Sequence, residues 1–294
     1  MPPIIQGLYT RPGELAAKSM LYELATTPKP GLVDRNNSGA HDDMDFFTFL
    51  RSAAVLPHYF NQFTRIGDET AHLAPERAMP ELRACGQQAE REMFDATGGV
   101  NTHKGMIFSL GLICGAIGRC LPHQEDTTPE DICETAAAIC KGVCREAFAS
   151  VRDSRNPSKG ERAYKAYGLK GVRGEAEGGF RSVLEVSLPR YQASVESGAS
   201  VNDALVQTLL HLVASVEDTN IVSRHDLDAS VYAMERAKTA LALGGMATPE
   251  GRADIERMDR DFIERRISPG GSADLLAITY FLANMKEILR GVAR

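Results

Sequence analysis

The densest chemistry in this chain lies in the run from Thr27 to Asp45, TPKPGLVDRNNSGAHDDMD. Its nineteen residues hold two prolines, two glycines, four aspartates, a lysine, an arginine and a histidine. A connector needs far less. Charges of both signs on a loop bent by proline and glycine suit a phosphorylated ligand that arrives with a metal. His41, Asp42, Asp43 and Asp45 also precede an apolar-periodic stretch, where acids favour a helix N-terminus.

Four further islands share this character. In Gly98-Gly99-Val100-Asn101-Thr102-His103-Lys104-Gly105, either Asn101 or Thr102 can cap a helix while Lys104 and the first free amides face an anion. It is not a P-loop: histidine and glycine stand where that motif needs glycine and serine or threonine, and no strand precedes it. The run from Tyr167 to Phe180 sets Lys170, Arg173, Glu175 and Glu177 among five glycines. Glycines admit a ligand close to the backbone, Arg173 can fork onto phosphate, and Glu175 can serve as a metal ligand or a base. The same run also reads as a flexible solvent loop. In Glu217 to Asp226, Asp218 and Asn220 are hard oxygen donors suited to Mg²⁺, or else caps and turn formers. Ser268-Pro269-Gly270-Gly271-Ser272-Ala273-Asp274 reads as a stop followed by a serine-capped start, with Asp274 in the first turn serving the dipole. His58, His72, His123 and His211 lack such surroundings.

The elements that must position these islands are helices. Apolar residues recur at three- and four-residue steps, and strand-like alternation is almost absent. Caps and breakers place about ten helices near residues 13–26, 43–61, 76–96, 102–120, 129–150, 181–196, 200–215, 228–243, 249–266 and 272–290. Starts are marked at Thr128-Pro129-Glu130-Asp131, Thr248-Pro249-Glu250 and Ser200 to Asp203, and a stop at Gly244-Gly245. The expected architecture is all-α: a single compact multi-helix domain over 1–294, with the site at converging helix ends.

Composition sets outer limits. With 43% apolar and 24% charged residues and a net charge of -6, the chain can build a full core, and it has no basic stripe for nucleic acid. Met106 to Leu121 is the most apolar run, but it is too short for a membrane span and contains Arg119. The six cysteines form no CxxC pair, so buried free thiols in a reducing compartment are expected rather than zinc ligands. No basic segment followed by an apolar core opens the chain, so no signal peptide is expected and the location reads as cytoplasmic.

Taken in order, TPKPGLVDRNNSGAHDDMD, GGVNTHKGMIFSLG, YGLKGVRGEAEGGF, EDTN and SPGGSADLL resemble the triphosphoribosyl-dephospho-CoA synthase family over roughly residues 14–283. One departure is Arg224-His225-Asp226, where many members carry a glycine pair behind the arginine. The resemblance implies a pentosyl transfer that joins ATP to 3′-dephospho-CoA and releases adenine. The product is the prosthetic-group precursor of citrate lyase or malonate decarboxylase acyl carrier proteins, passed on to a carrier-protein transferase.

Breaking the adenine glycosidic bond builds positive charge at the ribose anomeric carbon, which calls for a carboxylate. The attacking hydroxyl needs a proton acceptor, and the surviving triphosphate needs cations. With the resemblance in hand, residue type assigns Glu175 to the reacting ribose, with His41 or His103 as proton carrier. Lys29, Arg35, Asn101, Lys104, Arg173 and Arg224 are expected at phosphates or substrate, and Asp34, Asp43 and Asp218 at Mg²⁺. Two other readings use the same features: a metal-dependent N-glycosyl hydrolase acting on a nucleotide or ADP-ribose conjugate, and a non-catalytic module that binds an acyl carrier protein or its transferase.

Overall fold

Helices begin where side-chain oxygens meet free amides. A computed structural model describes residues 3–121, 127–149 and 159–286, and within them no residue lies in a strand. The expected all-α class is what the chain forms. His123 and the C-terminal ends of the expected 129–150 and 272–290 helices lie outside the described residues.

The chain opens with α1 (Pro3–Ala25), followed by the long loop. Asp45 then starts α2 (Phe46–Val55) with a capping box: its carboxylate accepts from the Thr48 amide while Thr48 Oγ1 accepts from the Asp45 amide. Sequence periodicity carries one helix over 43–61, but Pro57 opens a second, α3 (Pro57–Glu69). Proline has no amide to continue a ladder and suits a first turn.

α4 (Met79–Thr97) ends at Gly98 in the left-handed region, and α5 (Lys104–Cys120) follows. The 129–150 run divides into α6 (Pro129–Ile139), boxed by Thr128 and Asp131, and α7 (Val143–Ala149). Gly142 with φ 87° separates them. After α8 (Lys159–Tyr167), the glycine-rich island folds into a short helix of its own, α9 (Gly171–Glu177), where the sequence reads as a loop. Next come a π-helical turn (Ser182–Ser187), α10 (Leu188–Glu196) and α11 (Val201–Ser215), the last capped by Ser200 as expected. α12 (Thr219–Arg224) and α13 (Leu227–Ala242) start at Asp218 and Asp226. α14 (Pro249–Glu264) is capped by Thr248, and α15 (Gly270–Asn284) begins two residues before the expected serine.

Burial explains the layering. α5, α11 and α15 are apolar around most of their circumference and lie buried, as helices without a polar face must. The others present one stripe to them: α3, α4 and α6 pack on α5, α10 and α13 on α11, and α1 on both α3 and α15. A continuous apolar core draws on residues from Leu15 to Met285.

The closest approach is between α3 and α5. A Cβ at Gly67 would stand 1.9 Å from the Gly115 carbonyl oxygen, and one at Gly118 would stand 1.9 Å from that of Thr64. Backbones that near leave no room for a methyl group. Gly67→Ala should therefore cost about 1–3 kcal/mol despite alanine's better helix propensity, read as a lower urea midpoint at unchanged m-value.

Candidate active site

The loop after α1 is held from beneath by a buried ion pair. Lys29 and Glu23 are 2% and 3% exposed, and the ammonium bonds to the carboxylate. Glu23 lies in the last turn of α1, where a negative charge opposes the helix dipole, so it needs this partner. Burial pushes the Glu23 carboxyl up from its ordinary range while Lys29 draws it back down. Asp34 organises the rest of the loop: its carboxylate accepts from the amides of Asn36 (2.7 Å), Asn37 (3.1 Å) and Lys29 (3.0 Å). Asp259 of α14 reaches in to the Gly31 amide and the Asn37 side chain, both at 3.0 Å.

The expected phosphate and metal contacts of this loop are therefore largely committed inside the protein. Lys29 is spent on Glu23. Arg35 lies on the exposed side, bonded to Thr27 (3.2 Å) and Asn202 (3.3 Å). His41 Nε2 meets Ser268 Oγ at 2.9 Å, and its Nδ1 lies 3.5 Å from Arg224 and 3.7 Å from the exposed Asp43. His41, Asp43 and Arg224 thus form their own corner. Asp218 is filled by the amides of Asn220 (2.9 Å) and Ser272 (2.8 Å), the Ser272 hydroxyl and the Gly271 amide. Asp34 and Asp218 thus hold backbone amides, while Asp43 lies at the surface beside His41. Among the described residues, no three His, Cys, Asp or Glu side chains gather closely enough to hold a metal ion.

His103 ends the glycine island as the residue before α5. It is 1% exposed, its Nδ1 is hydrogen-bonded to Ser52 Oγ at 2.6 Å, and Phe49 meets its ring edge-on. Nε2 is buried without a partner, as is Thr102 Oγ1. Burial, helped by the nearby Lys29 charge, lowers the imidazole to about 3, so His103 is a neutral ring and a poor acid at neutral pH. His103 itself takes the N-cap position of α5 with no side-chain capping bond, in place of the expected Asn101 or Thr102, and Asn101 Oδ1 accepts from the Lys104 amide at 3.2 Å.

Two cavities flank α9. The first, about 400 Å³, brings together two residues expected at phosphates, Lys104 and Arg173, beside Arg83 and over an apolar wall that includes Phe63, Ile107 and Phe108. Lys104 is paired with Glu90 at 2.9 Å. The second, about 560 Å³, is lined by Lys170, Glu175, Ser182, Asp218 and the backbone of the glycine run. Glu175 Oε1 accepts from Ser182 Oγ at 2.6 Å, while Oε2 is buried with no partner. Ser182 comes into reach because Phe180 takes φ 50°, uncommon for a bulky residue, and the chain then winds a π-helical turn. Such turns recur at functional sites.

α15 adds a carboxyl that residue type alone assigns to its own helix dipole. Asp274 lies one turn into α15 and faces α5 instead: a Cβ on Gly105 would stand 2.0 Å from its Oδ2. It is partly accessible, yet surrounding protein and the nearby Glu23 and Asp218 raise it well above the ordinary carboxylate range. One sequence signal marks this pocket in advance. An acid in the closing turn of an apolar helix, as Glu23 is, implies a buried counter-charge. Nothing local points to Ser182 or Asp274, whose roles depend on chain crossings.

The sequence model of the CitG family, ATP:dephospho-CoA triphosphoribosyl transferase, matches residues 9–292. No solved structure matches the chain. No helix among the described residues is long and apolar enough to cross a membrane.

Two measurements check this electrostatic arrangement. Lys29→Met leaves Glu23 buried and unpaired and should cost about 3–5 kcal/mol in urea unfolding, whereas adding Glu23→Gln should recover part of it. The His103 ring signals should stay fixed in NMR between pH 5 and 8. Its folded value lies below its ordinary 6.5, so the stability it contributes is full above that value and is lost as pH falls toward about 3. The raised carboxyls Glu23, Asp218, Asp259 and Asp274 shift stability the opposite way.

Proposed function

The chain belongs to the ATP:dephospho-CoA triphosphoribosyl transferase family, and from that premise we propose that this transferase couples ATP to 3′-dephospho-CoA at the two cavities beside α9, releasing adenine. The observation that carries the reading is Glu175, which borders the second cavity: one oxygen is fixed by Ser182 and the other is buried without a partner. A carboxylate held this way can face a carbon that becomes positive, without reorganising at the moment of reaction.

The glycosidic C–N bond breaks with its electron pair going to adenine, and a dephospho-CoA ribose hydroxyl bonds to the same carbon as it gives up its proton. Lys104 and Arg173, sharing one cavity, neutralise phosphate. Water must be kept from the anomeric carbon, where it would simply depurinate ATP, and the first cavity offers an apolar wall beside these cations. Mg²⁺ enters this proposal on the triphosphate itself, since Mg²⁺ at phosphates keeps waters and needs only one or two carboxylates. The proton-carrier expectation for His103 weakens, because its ring is buried and neutral. Delivery of the product to a carrier-protein transferase, for citrate lyase or malonate decarboxylase, belongs to the same proposal. So does a cytoplasmic location, which fits six free thiols.

The test incubates the protein with ATP, Mg²⁺ and dephospho-CoA, then follows free adenine and adduct mass. ADP or AMP in place of adenine would sink the proposal, and adenine released without dephospho-CoA would mark a hydrolase. Glu175→Gln should lower kcat about 10²–10³-fold with the fold intact by circular dichroism. Arg173→Ala should raise KM for a substrate about 10-fold or more, the weight of a charged hydrogen bond.

A further inference from the structure

Two substrates must meet, and two cavities flank α9. Arg173 and Glu175 are two residues apart on that helix, about 200° around its axis, and they line different cavities. With Glu175 at the reacting ribose, the second cavity takes the ribose of ATP. The first is then left for the other substrate, and its own chemistry decides what it can hold.

Its floor is apolar and comes from three helices: Phe63 of α3, Leu82 of α4, and Ile107, Phe108 and Leu112 of α5. Such a floor favours a ligand that can bury an apolar stretch of its own. The rim sets Arg83, Lys104 and Arg173 against Glu90 and Glu146, one more cation than acid. Lys104 is paired with Glu90 at 2.9 Å, and Arg83 lies 3.7 Å from Glu146. Among the described residues no ion pair or hydrogen bond engages Arg173. One unspent cation above an apolar floor suits a lightly charged group carried on an apolar arm. A triphosphate would bring more negative charge than this rim balances and would set it against two carboxylates.

We propose that the first cavity is the acceptor site, holding the pantetheine arm of dephospho-CoA on its floor and the pyrophosphate at Arg173. The choice of acceptor rests on the reading above. The arm's methyl and methylene carbons lie against the aromatic and aliphatic floor, and Gln87 on the rim offers its amides a hydrogen-bonding partner. Extended dephospho-CoA is longer than a helix is wide, about 10–12 Å with side chains. It can therefore cross α9 and present a ribose hydroxyl beside Glu175.

Gly86 of α4 lines this cavity and allows it to be filled without disturbing the fold. The nearest side chain to a Cβ built there is Phe63, 3.7 Å away, and leucine is a better helix former than glycine. Gly86→Leu should keep or raise Tm while raising the calorimetric Kd and the KM for dephospho-CoA about 10-fold or more. KM for ATP should stay as in wild type. Pantetheine alone should inhibit the wild type competitively against dephospho-CoA, and less so the variant. Unchanged dephospho-CoA binding in Gly86→Leu, or a loss confined to ATP, would overturn the assignment. A loss specific to dephospho-CoA, in a protein that releases no adenine, would uphold the acceptor site and sink only the reaction proposed above.

Discussion

A lysine ammonium and a glutamate carboxylate, both almost wholly removed from water, hold the long loop to the last turn of α1. Each charge would be costly alone, and together they are tolerable only while the pair persists. The pair also sets the local field. Lys29 adds to the burial that lowers the His103 imidazole, and Glu23 adds to the burial that raises the Asp274 carboxyl.

Rigid helix packing makes that field usable. The glycine-lined approach of α3 to α5 leaves no room for a side chain between them, and α5 also packs on α15. Two interlocked supports then fix the polar walls. Asp218 starts α12 and simultaneously binds the first turn of α15, and Asp259 ties α14 to the loop. Carboxylates that residue type offers as metal ligands serve here as backbone clamps. A clamp of this kind suits a reaction in which a nucleotide and an acceptor must be held together while water is excluded.

Periodicity and capping made much of the fold legible in advance. Asp131 behind Thr128, Ser200 before Asp203 and Thr248 before Pro249 mark helix starts that the chain forms, because a capping bond spans only a few residues. The misreadings are equally local in origin. Pro57 and Gly142 interrupt apolar patterns that otherwise continue, and the glycines of 168–180 hide a short helix that gains its stability from packing.

The sequence by itself determined the helical class, most helix starts, the islands where chemistry could reside and, through five ordered strings, the family. Those depend on residue type and short spacing. Tertiary structure alone decided which charges are spent and which remain. Lys29 and Asp218 prove occupied, Lys104 and Arg173 meet across a cavity, Glu175 keeps one oxygen unpartnered, and Asp274 turns from its own helix toward another. The physical reason is that burial and charge pairing act through space between residues far apart in the chain, and the same aspartate can be a clamp, a ligand or an acid depending on what the fold sets against it.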